Sequence, residues 1–397
     1  MLRIATLVIA IAHARASSAQ GVSPPPFVLQ SSDGDNMIQV GGLLQLDGRF
    51  ALRDSAGSVV DTFLIRRFRS NLHGRLLRHF EFDFNPDFAG GTLVVQDAYI
   101  DTVFSKAFRL RLGKFKTPLG LERLIPANSL VFIERGFPTW VLPNRDVGVQ
   151  VLGDLAGDAI SYMAAVVNGA ADFSSTDTDT NDSKEVALRV VVRPMARRSK
   201  STLHGLSIGI AGGTGVVTEL PSLKTATLFQ TFFSYAGTAT AEGNRVRLTP
   251  QASYYYKSLG AIAEFARSVQ TIRNDEVSAD IAHHAWQVAA AYVLTGEPAS
   301  DHVVQPRHNF DFGGGHVGAI QVAARYHAIE VDQAAISLGL ATPGSSRRAN
   351  AFTVGVNWFL NPFVKYALNF ERTVFDGDPH GLRPPEHALA FEAQVSF

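Results

Sequence analysis

The sequence predicts an all-β protein: an antiparallel transmembrane β-barrel of about sixteen strands, with constriction loops folded inward. Three observations predict it. Segments with one apolar and one charged face recur along most of the chain. Short connections such as Lys257-Ser-Leu259 and Asn361-Pro362 alternate with long ones such as Ala170–Lys184, Gly213–Gly243 and Asp376–Pro385. The chain ends on Leu389, Phe391, Ala393, Val395 and Phe397, alternating with Glu392, Gln394 and Ser396, a closing strand with a C-terminal Phe.

Composition narrows the class. The 397 residues carry 36 basic and 36 acidic side chains, so nothing draws the whole chain to nucleic acid or to an anionic surface. There is no cysteine, which removes thiol catalysis, disulfides and thiolate metal sites. Residues 1–19 read as an export signal: Arg3, an apolar core from Ile4 to Ala12, then Ala14-Arg-Ala16 or Ser17-Ser-Ala19 for cleavage. Beyond it, no apolar run reaches the ~18 residues of a spanning helix. Residues 20–36, rich in Pro, Ser and Gly, read as a poorly ordered lead-in, and 37–397 as the barrel.

The first strand, Ile38 to Arg53, sets the pattern. Ile38, Val40, Gly42, Leu44, Leu46, Gly48, Phe50 and Leu52 share one face, and Gln39, Gln45, Asp47, Arg49 and Arg53 the other. Its length suits a tilted membrane strand better than a soluble one. Phe63–Leu76 follows with Arg67, Arg69, Asn71, His73 and Arg75 opposite Phe68, Leu72 and Leu76. Phe80–Phe88 alternates phenylalanine with acid, Leu93–Thr102 aligns Asp97, Tyr99 and Asp101, and Ala107–Gly113 sets Arg109 and Arg111 against Phe108, Leu110 and Leu112. Later strands are expected at Asp158–Asn168, Glu185–Arg193, Leu203–Gly212, Asn244–Lys257, Leu259–Val269, His283–Thr295, Val317–Ile329, Asn350–Leu360, Phe363–Phe375 and Glu386–Phe397. Ala226–Ala236 adds at most one more strand. Gly296–His316 is anomalous, a long connection on the short-turn side.

Between Gly113 and Gly148 the alternation stops. The segment holds Pro118, Pro126, Pro138 and Pro143, with apolar residues from Leu121 to Val141 that need a packing partner. Lys114, Lys116, Arg123, Arg135 and Arg145 add positive charge. A loop folded into the lumen, packed on one side and presenting cations on the other, accounts for both.

An ordered set of motifs then gives the chain a resemblance. Arg66-Arg67-Phe-Arg69 with Gly74, Asp97-Ala-Tyr99, Gly113-Lys-Phe-Lys-Thr-Pro118 with Glu122, Phe132-Ile-Glu-Arg135, Arg145 with Gly148, and Asn168-Gly169 come first. Pro250, Tyr254–Tyr256, Glu264, Trp286, Leu294-Thr-Gly-Glu297, Pro306, Gly318-Ala319, Arg325-Tyr326 and Asn357-Trp358 with Asn361 follow. Over nearly its whole mature length the chain resembles the phosphate-selective porin O and P family. The resemblance implies a bacterial outer-membrane porin of sixteen strands, a homotrimer in contact with membrane lipid, and a lumen narrowed by inward loops and a long periplasmic connection. It implies passage of phosphate or other small anions, without cofactor or catalysis. By the same pattern Arg66, Arg67, Asp97 and Arg135 match an anion-binding constriction.

The chemistry fits that expectation. Arginine's fixed fork suits a tetrahedral oxyanion, and conduction needs several shallow sites in place of one deep one. Arg69 joins the constriction set, and Arg49, Arg75, Arg109, Arg111, Arg245 and Arg247 form a lumen series, which Arg189, Arg193 and Arg325 extend. The competing expectation is that these arginines pair with Asp47, Glu81, Asp83, Asp97 and Asp101 to brace a wide wall. Lysines are few, and Asp172–Lys184 adds acid at the outer mouth, so a general, weakly selective porin is the alternative. The DTDTND core of that loop departs from a calcium loop, with Asp182 at the glycine position and Leu188 at the last glutamate position. His283 and His284 are adjacent on a strand and point apart, so they share no metal. An outer-membrane hydrolase would need a Ser–His–acid set, which the sequence alone does not assemble.

Overall fold

The computed structural model describes residues 27–52, 59–179, 181–376 and 383–397. The predicted signal segment 1–19 lies outside the described residues, as does the first part of the lead-in. The chain forms β1 (Val28–Gln30), β2 (Met37–Ala51), β3 (Thr62–Leu76), β4 (Phe80–Asp87), β5 (Val94–Ser105), β6 (Phe108–Lys116), β7 (Arg145–Leu155), β8 (Ile160–Val167), β9 (Glu185–Val192) and β10 (Leu206–Val216). It continues with β11 (Leu223–Lys224), β12 (Thr231–Phe233), β13 (Thr240–Tyr256), β14 (Leu259–Arg273), β15 (Ser278–Val293), β16 (Ala319–Glu330), a short helix α1 (Gln333–Ser337), β17 (Arg348–Phe359), β18 (Val364–Asp376) and β19 (Glu386–Ser396).

Barrel strands pair antiparallel with their sequence neighbours, and β19 pairs with β2 to close the wall, Glu392 beside Asp47. The sheet counts 17 strands because β1 is a three-residue appendage on β2, so sixteen build the closed barrel. Closure leaves no unpaired edge in lipid, which any spanning sheet requires. Along the strands that face the packed loops, residues facing the lumen are buried and those facing out are exposed: in β17, Ala349, Ala351 and Thr353 against Phe352, Val354 and Val356.

Four features differ from the sequence reading. Residues 27–36 are not a loose lead-in, since Val28, Leu29 and Gln30 pair with Gln39, Ile38 and Met37. The inner loop is residues 117–144, because Gly113–Lys116 finish β6 and Arg145–Gly148 open β7. The hairpins of β13, β14 and β15 run several residues further outward than alternation suggested. There Thr240, Glu242, Thr271, Arg273 and Asp280 face out while Ala241, Ile272, Ala279 and Ile281 face the packed loops inside, so the alternation inverts and does not read on as the same strand. Residues 226–236 add no barrel strand: β12 pairs only with β11, as a small hairpin inside the loop 217–239.

The principal hydrophobic core lies inside the barrel, where a wide lumen would otherwise hold water. Leu119, Phe137, Trp140, Val141 and Leu142 of the inner loop meet Leu223, Ala226, Phe232 and Phe233 from 217–239 and Val331, Ala335 and Leu340 from 331–347. Small wall residues, Ala187, Ala211, Ala266, Ala285, Ala349 and Ala351, make room for them. Trp140 stacks on Phe173 at 3.6 Å. Loops therefore fill the outer part of the lumen beside β9 to β18. The long connection 294–318 also turns inward: Ala299, Ser300 and Asp301 line a hollow with Leu130, Val131 and Phe132 of the inner loop.

Candidate functional site

The inner loop has little regular structure, so its backbone polar groups need partners from the wall. Lumen-facing side chains of successive strands supply them. Gln45 donates to the carbonyl of Ala127, Gln394 to Asn128, Lys365 to Leu130 and Asn357 to Val131. Asn369 accepts from the Ile133 amide at 2.8 Å, Arg325 donates to the Glu134 carbonyl at 2.9 Å, and His327 Nδ1 accepts from Phe137 N–H at 3.2 Å. At the loop's start Glu264 accepts from Leu121 N–H at 2.5 Å and Glu122 accepts from Gly136 N–H at 2.7 Å. Gly136 passes so close to the wall that a Cβ would lie 2.2 Å from Gln287 Oε1. The loop is thereby fixed across the barrel.

Arg66 and Arg67 are adjacent, and on a regular strand one of them would face lipid. A bulge solves this: pairing steps from Gln45↔Arg67 to Leu46↔Ile65, leaving Arg66 as the extra residue. Both guanidinium groups then reach Glu134 of the inner loop, Arg66 at 2.5 Å and Arg67 at 3.7 Å. Arg49 binds the same carboxylate at 2.5 Å and Asp47 at 2.7 Å. Burial alone would raise the Glu134 carboxyl, but Arg66, Arg49 and Arg67 outweigh it and hold it well below the ordinary carboxylate range. Phe229 caps the group, with Arg49 and Arg66 over its ring at 4.9 and 5.6 Å.

Beside this neutralised group sit cations of another kind. Lys116 donates to the carbonyls of Leu124 and Ile125, both at 3.1 Å. Arg135 donates to Glu122 O at 3.0 Å and Ile125 O at 2.7 Å. Arg123 donates to Thr139 O. Among the described residues, no carboxylate lies within 4.0 Å of the charged nitrogens of these three. Burial, then Arg123 and Arg67, push the Arg135 guanidinium well below its usual value, as crowding of like charge does. Lys116 and Arg135 nevertheless remain partly exposed.

The other predicted residues are mostly paired. Asp97 grips Arg145 with two contacts of 2.9 Å, leaving Arg66 and Arg67 to Glu134. Arg69 binds Asp87, Arg111 binds Asp101 (each at 2.7 Å), and Arg109 reaches Glu81 at 3.2 Å. Arg75 donates to the Gly34 carbonyl. Arg245 and Arg247 do not line open lumen: they are buried against Asp172 at 3.6 and 2.7 Å, and Arg247 also binds Glu185 at 2.6 Å. That acid-bearing loop folds inward, although Asp177 still pairs with Lys114 and Asp179 with Lys184. On the periplasmic side of the inner loop, Arg69, Arg111, Lys116 and Arg145 share with Asp83 and Asp97 the wall of a vestibule of about 510 Å³. A second one of about 400 Å³ carries Arg189, Arg193 and Asp301.

Glu134 falls within a sequence motif, but nothing in the sequence assigns it a role. The lumen amides that hold the loop carry no signal either, since Gln45, Asn357, Asn369 and Gln394 look like any inward polar residue of a barrel strand.

Comparisons with known proteins agree with this architecture. The family model described as phosphate-selective porin O and P matches residues 38–374. Porin O of Pseudomonas aeruginosa is 25% identical over 391 residues, 87% of this chain and 85% of that protein. Among solved structures, an anion-selective porin from Comamonas acidovorans superposes with a TM-score of 0.59 at 12% identity, covering 91% of this chain and 100% of the other. OmpT of Vibrio cholerae in its trimer form gives a TM-score of 0.53 at 10% identity, covering 91% and 99%. At these identities the structural likeness is one of fold.

Proposed function

The chain belongs to the phosphate-selective porin O and P family and is an outer-membrane porin of a bacterium, and from that premise we propose that it conducts small anions, phosphate or a related oxyanion foremost. The carrying observation is the set Lys116, Arg123 and Arg135, whose charges meet carbonyls and no contacting carboxylate. A doubly charged oxyanion offers the missing counter-charge. Lys116 and Arg135 are the partly exposed members, and Lys116 shares the vestibule wall with Arg145, which Asp97 restrains. Arg66 and Arg67 act at one remove, by fixing Glu134 and hence the position of Arg135 next to it. Asp97 and Asp87 keep Arg145 and Arg69 from holding an anion too tightly, which conduction requires.

The test is reversal potential and single-channel conductance in planar bilayers under a chloride gradient, followed by phosphate titration. The expected result is anion selectivity with block of chloride current by phosphate. Cation selectivity, or indifference to phosphate, overturns the reading. Two observations favour a weakly selective porin instead: Glu134 already satisfies three arginines, and the outer lumen is packed with apolar loop residues.

The functional unit is a homotrimer joined through its low wall. Strands β4, β8 and β9 have 8 residues and β6 has 9, whereas β13, β14 and β15 have 17, 15 and 16. Eight residues at ~3.3 Å each, tilted by ~40°, rise roughly 20 Å along the membrane normal, short of the ~25 Å apolar band. A neighbouring subunit covers that side better than lipid does.

A further inference from the structure

The outer face of the tall wall carries one row that breaks its apolar character. Arg267 pairs with His284, His284 with Glu330, Glu330 with Arg348, and Arg348 with Asp376, so five adjacent strands each place an ionisable residue side by side. All five point outward. Their chain neighbours Ser268, His283, Ile329, Ala349 and Phe375 are the buried, lumen-facing ones.

Depth gives the row meaning. Toward the periplasm the same outer face carries Phe265, Trp286, Tyr326 and Phe352, and the band ends on Trp358, Tyr366 and Phe391, whose rings succeed one another at 6.1 and 6.0 Å. That aromatic rim marks the inner interface, and the charged row marks the outer one. Ionisable groups facing hydrocarbon are costly, so a whole row of them belongs at headgroup level.

The row is also shaped. Small Ala328 and Asn350 between Trp286 and Arg348 leave a hollow of about 320 Å³ in the outer wall, lined by His284, Trp286, Glu330, Arg348, Asn350 and Asp376. Arg348 is exposed and held at 2.9 Å by Glu330, which Arg347 also binds at 2.5 Å. Glu330 thus gathers two guanidinium groups, and Asp376, across from Arg348 on the next strand, is the second carboxylate of the hollow. Arg267 ends the row on β14, and Arg372 lies four residues below Asp376, level with Phe352 and Tyr326; both are exposed and without an ion-pair partner among the described residues.

We propose that this row is a binding site for the phosphorylated headgroup of an outer-leaflet glycolipid, with Arg348 and Arg267 as the phosphate-binding residues and Trp286 and Tyr326 as the surface under its sugar and acyl chains. Arginine's fork binds phosphate in two-point fashion, and the aromatic pair, 5.4 Å apart, supplies the flat apolar platform below it. The site lies on the opposite wall face from the pore and is independent of the anion chosen there.

Native mass spectrometry of the purified full-length protein, titrated with bisphosphorylated lipid A, tests this. Wild type is expected to retain the lipid, and the R267A/R348A double variant to bind roughly tenfold or more weakly. The dephosphorylated lipid should bind as weakly to wild type as the phosphorylated one does to the variant, and R348K should recover part of the affinity. Millimolar inorganic phosphate should not displace the lipid, because the headgroup is held together with its chains. Chloride conductance should be unchanged in the double variant, which also shows that it has folded. Equal binding by wild type and variant, or equal binding of the dephosphorylated lipid, overturns the proposal, as does displacement by free phosphate.

Discussion

Arg67 and Arg135 are both lumen arginines, yet they differ in what they touch. Arg67 shares Glu134 with two other guanidinium groups, whereas Arg135 meets only carbonyl oxygens. A charged hydrogen bond contributes roughly 1.5–3 kcal/mol, about tenfold or more in affinity. Arg135→Ala or Lys116→Ala should therefore weaken phosphate block of chloride current by about that factor, measured by titration in planar bilayers. Arg109→Ala, which removes a residue paired with Glu81 near the periplasmic end of β6, should move it little. Glu134→Gln tests the opposite sign. It releases Arg49, Arg66 and Arg67 from their common counter-charge, so reversal potentials should shift toward stronger anion selectivity. A shift toward cations would mean that Glu134 matters mainly by placing the loop. The surplus charge was half legible in the sequence, because Lys116, Arg123 and Arg135 cluster there within a few turns of chain. Which cations an acid neutralises was not legible, since Glu134 meets Arg49 and Arg66 across 85 and 68 residues.

At the scale of elements, the inner loop is held more by individual wall side chains than by its own hydrogen bonds. Asn357 donates to Val131 O and Asn369 accepts from Ile133 N–H, each at 2.8 Å. Removing either leaves a buried backbone group without its partner, at a cost of about 1–3 kcal/mol. Asn357→Ala with Asn369→Ala should loosen the loop and leave the strand ladder intact. Single-channel records should show noisier or larger conductance, while the heat-modified mobility of the barrel in gels stays that of wild type. Quiet channels of unchanged size would mean that the apolar packing of Phe137 and Trp140 suffices. Strand existence was legible throughout, because period-two alternation marks a two-faced wall. The bulge at Arg66 was not, because alternation assigns adjacent residues to opposite faces and only the pairing with β2 shows the extra residue. The ends of β13 to β15 were hidden for a related reason: above the membrane the outer face turns polar and the inner face, Ala241, Ile272, Ala279 and Ile281, meets the apolar loops, so the alternation inverts.

For the whole molecule, wall height and outer-face chemistry vary together around the barrel. The low wall presents Phe80, Phe84, Phe104 and Phe108 outward, with Phe104 and Phe108 5.2 Å apart. Beside them the ring of Phe82 lies over Gly74, where a Cβ would come within 2.3 Å of it. The tall wall presents Val288, Phe352, Val354 and Val356 below a charged row. Lipid is fluid and tolerates any apolar shape, whereas a subunit contact needs fixed complementary surface, which large aromatics on short strands provide. Packing each phenylalanine against a neighbouring subunit contributes about 1.5–3 kcal/mol beyond leaving it in water, but part of that is recovered when lipid takes its place. The double variant F84A/F104A should therefore lower the temperature at which the oligomer dissociates in a denaturing gel, by several degrees or more. F352A/V288A, a comparable loss from the tall wall, should leave that temperature unchanged, because lipid refills the space. Equal shifts from both pairs would show that the effect is barrel stability and not assembly. A monomer mass for the wild type in native mass spectrometry would remove the low wall's partner altogether, and the short strands would then have to be matched by a locally thinned membrane.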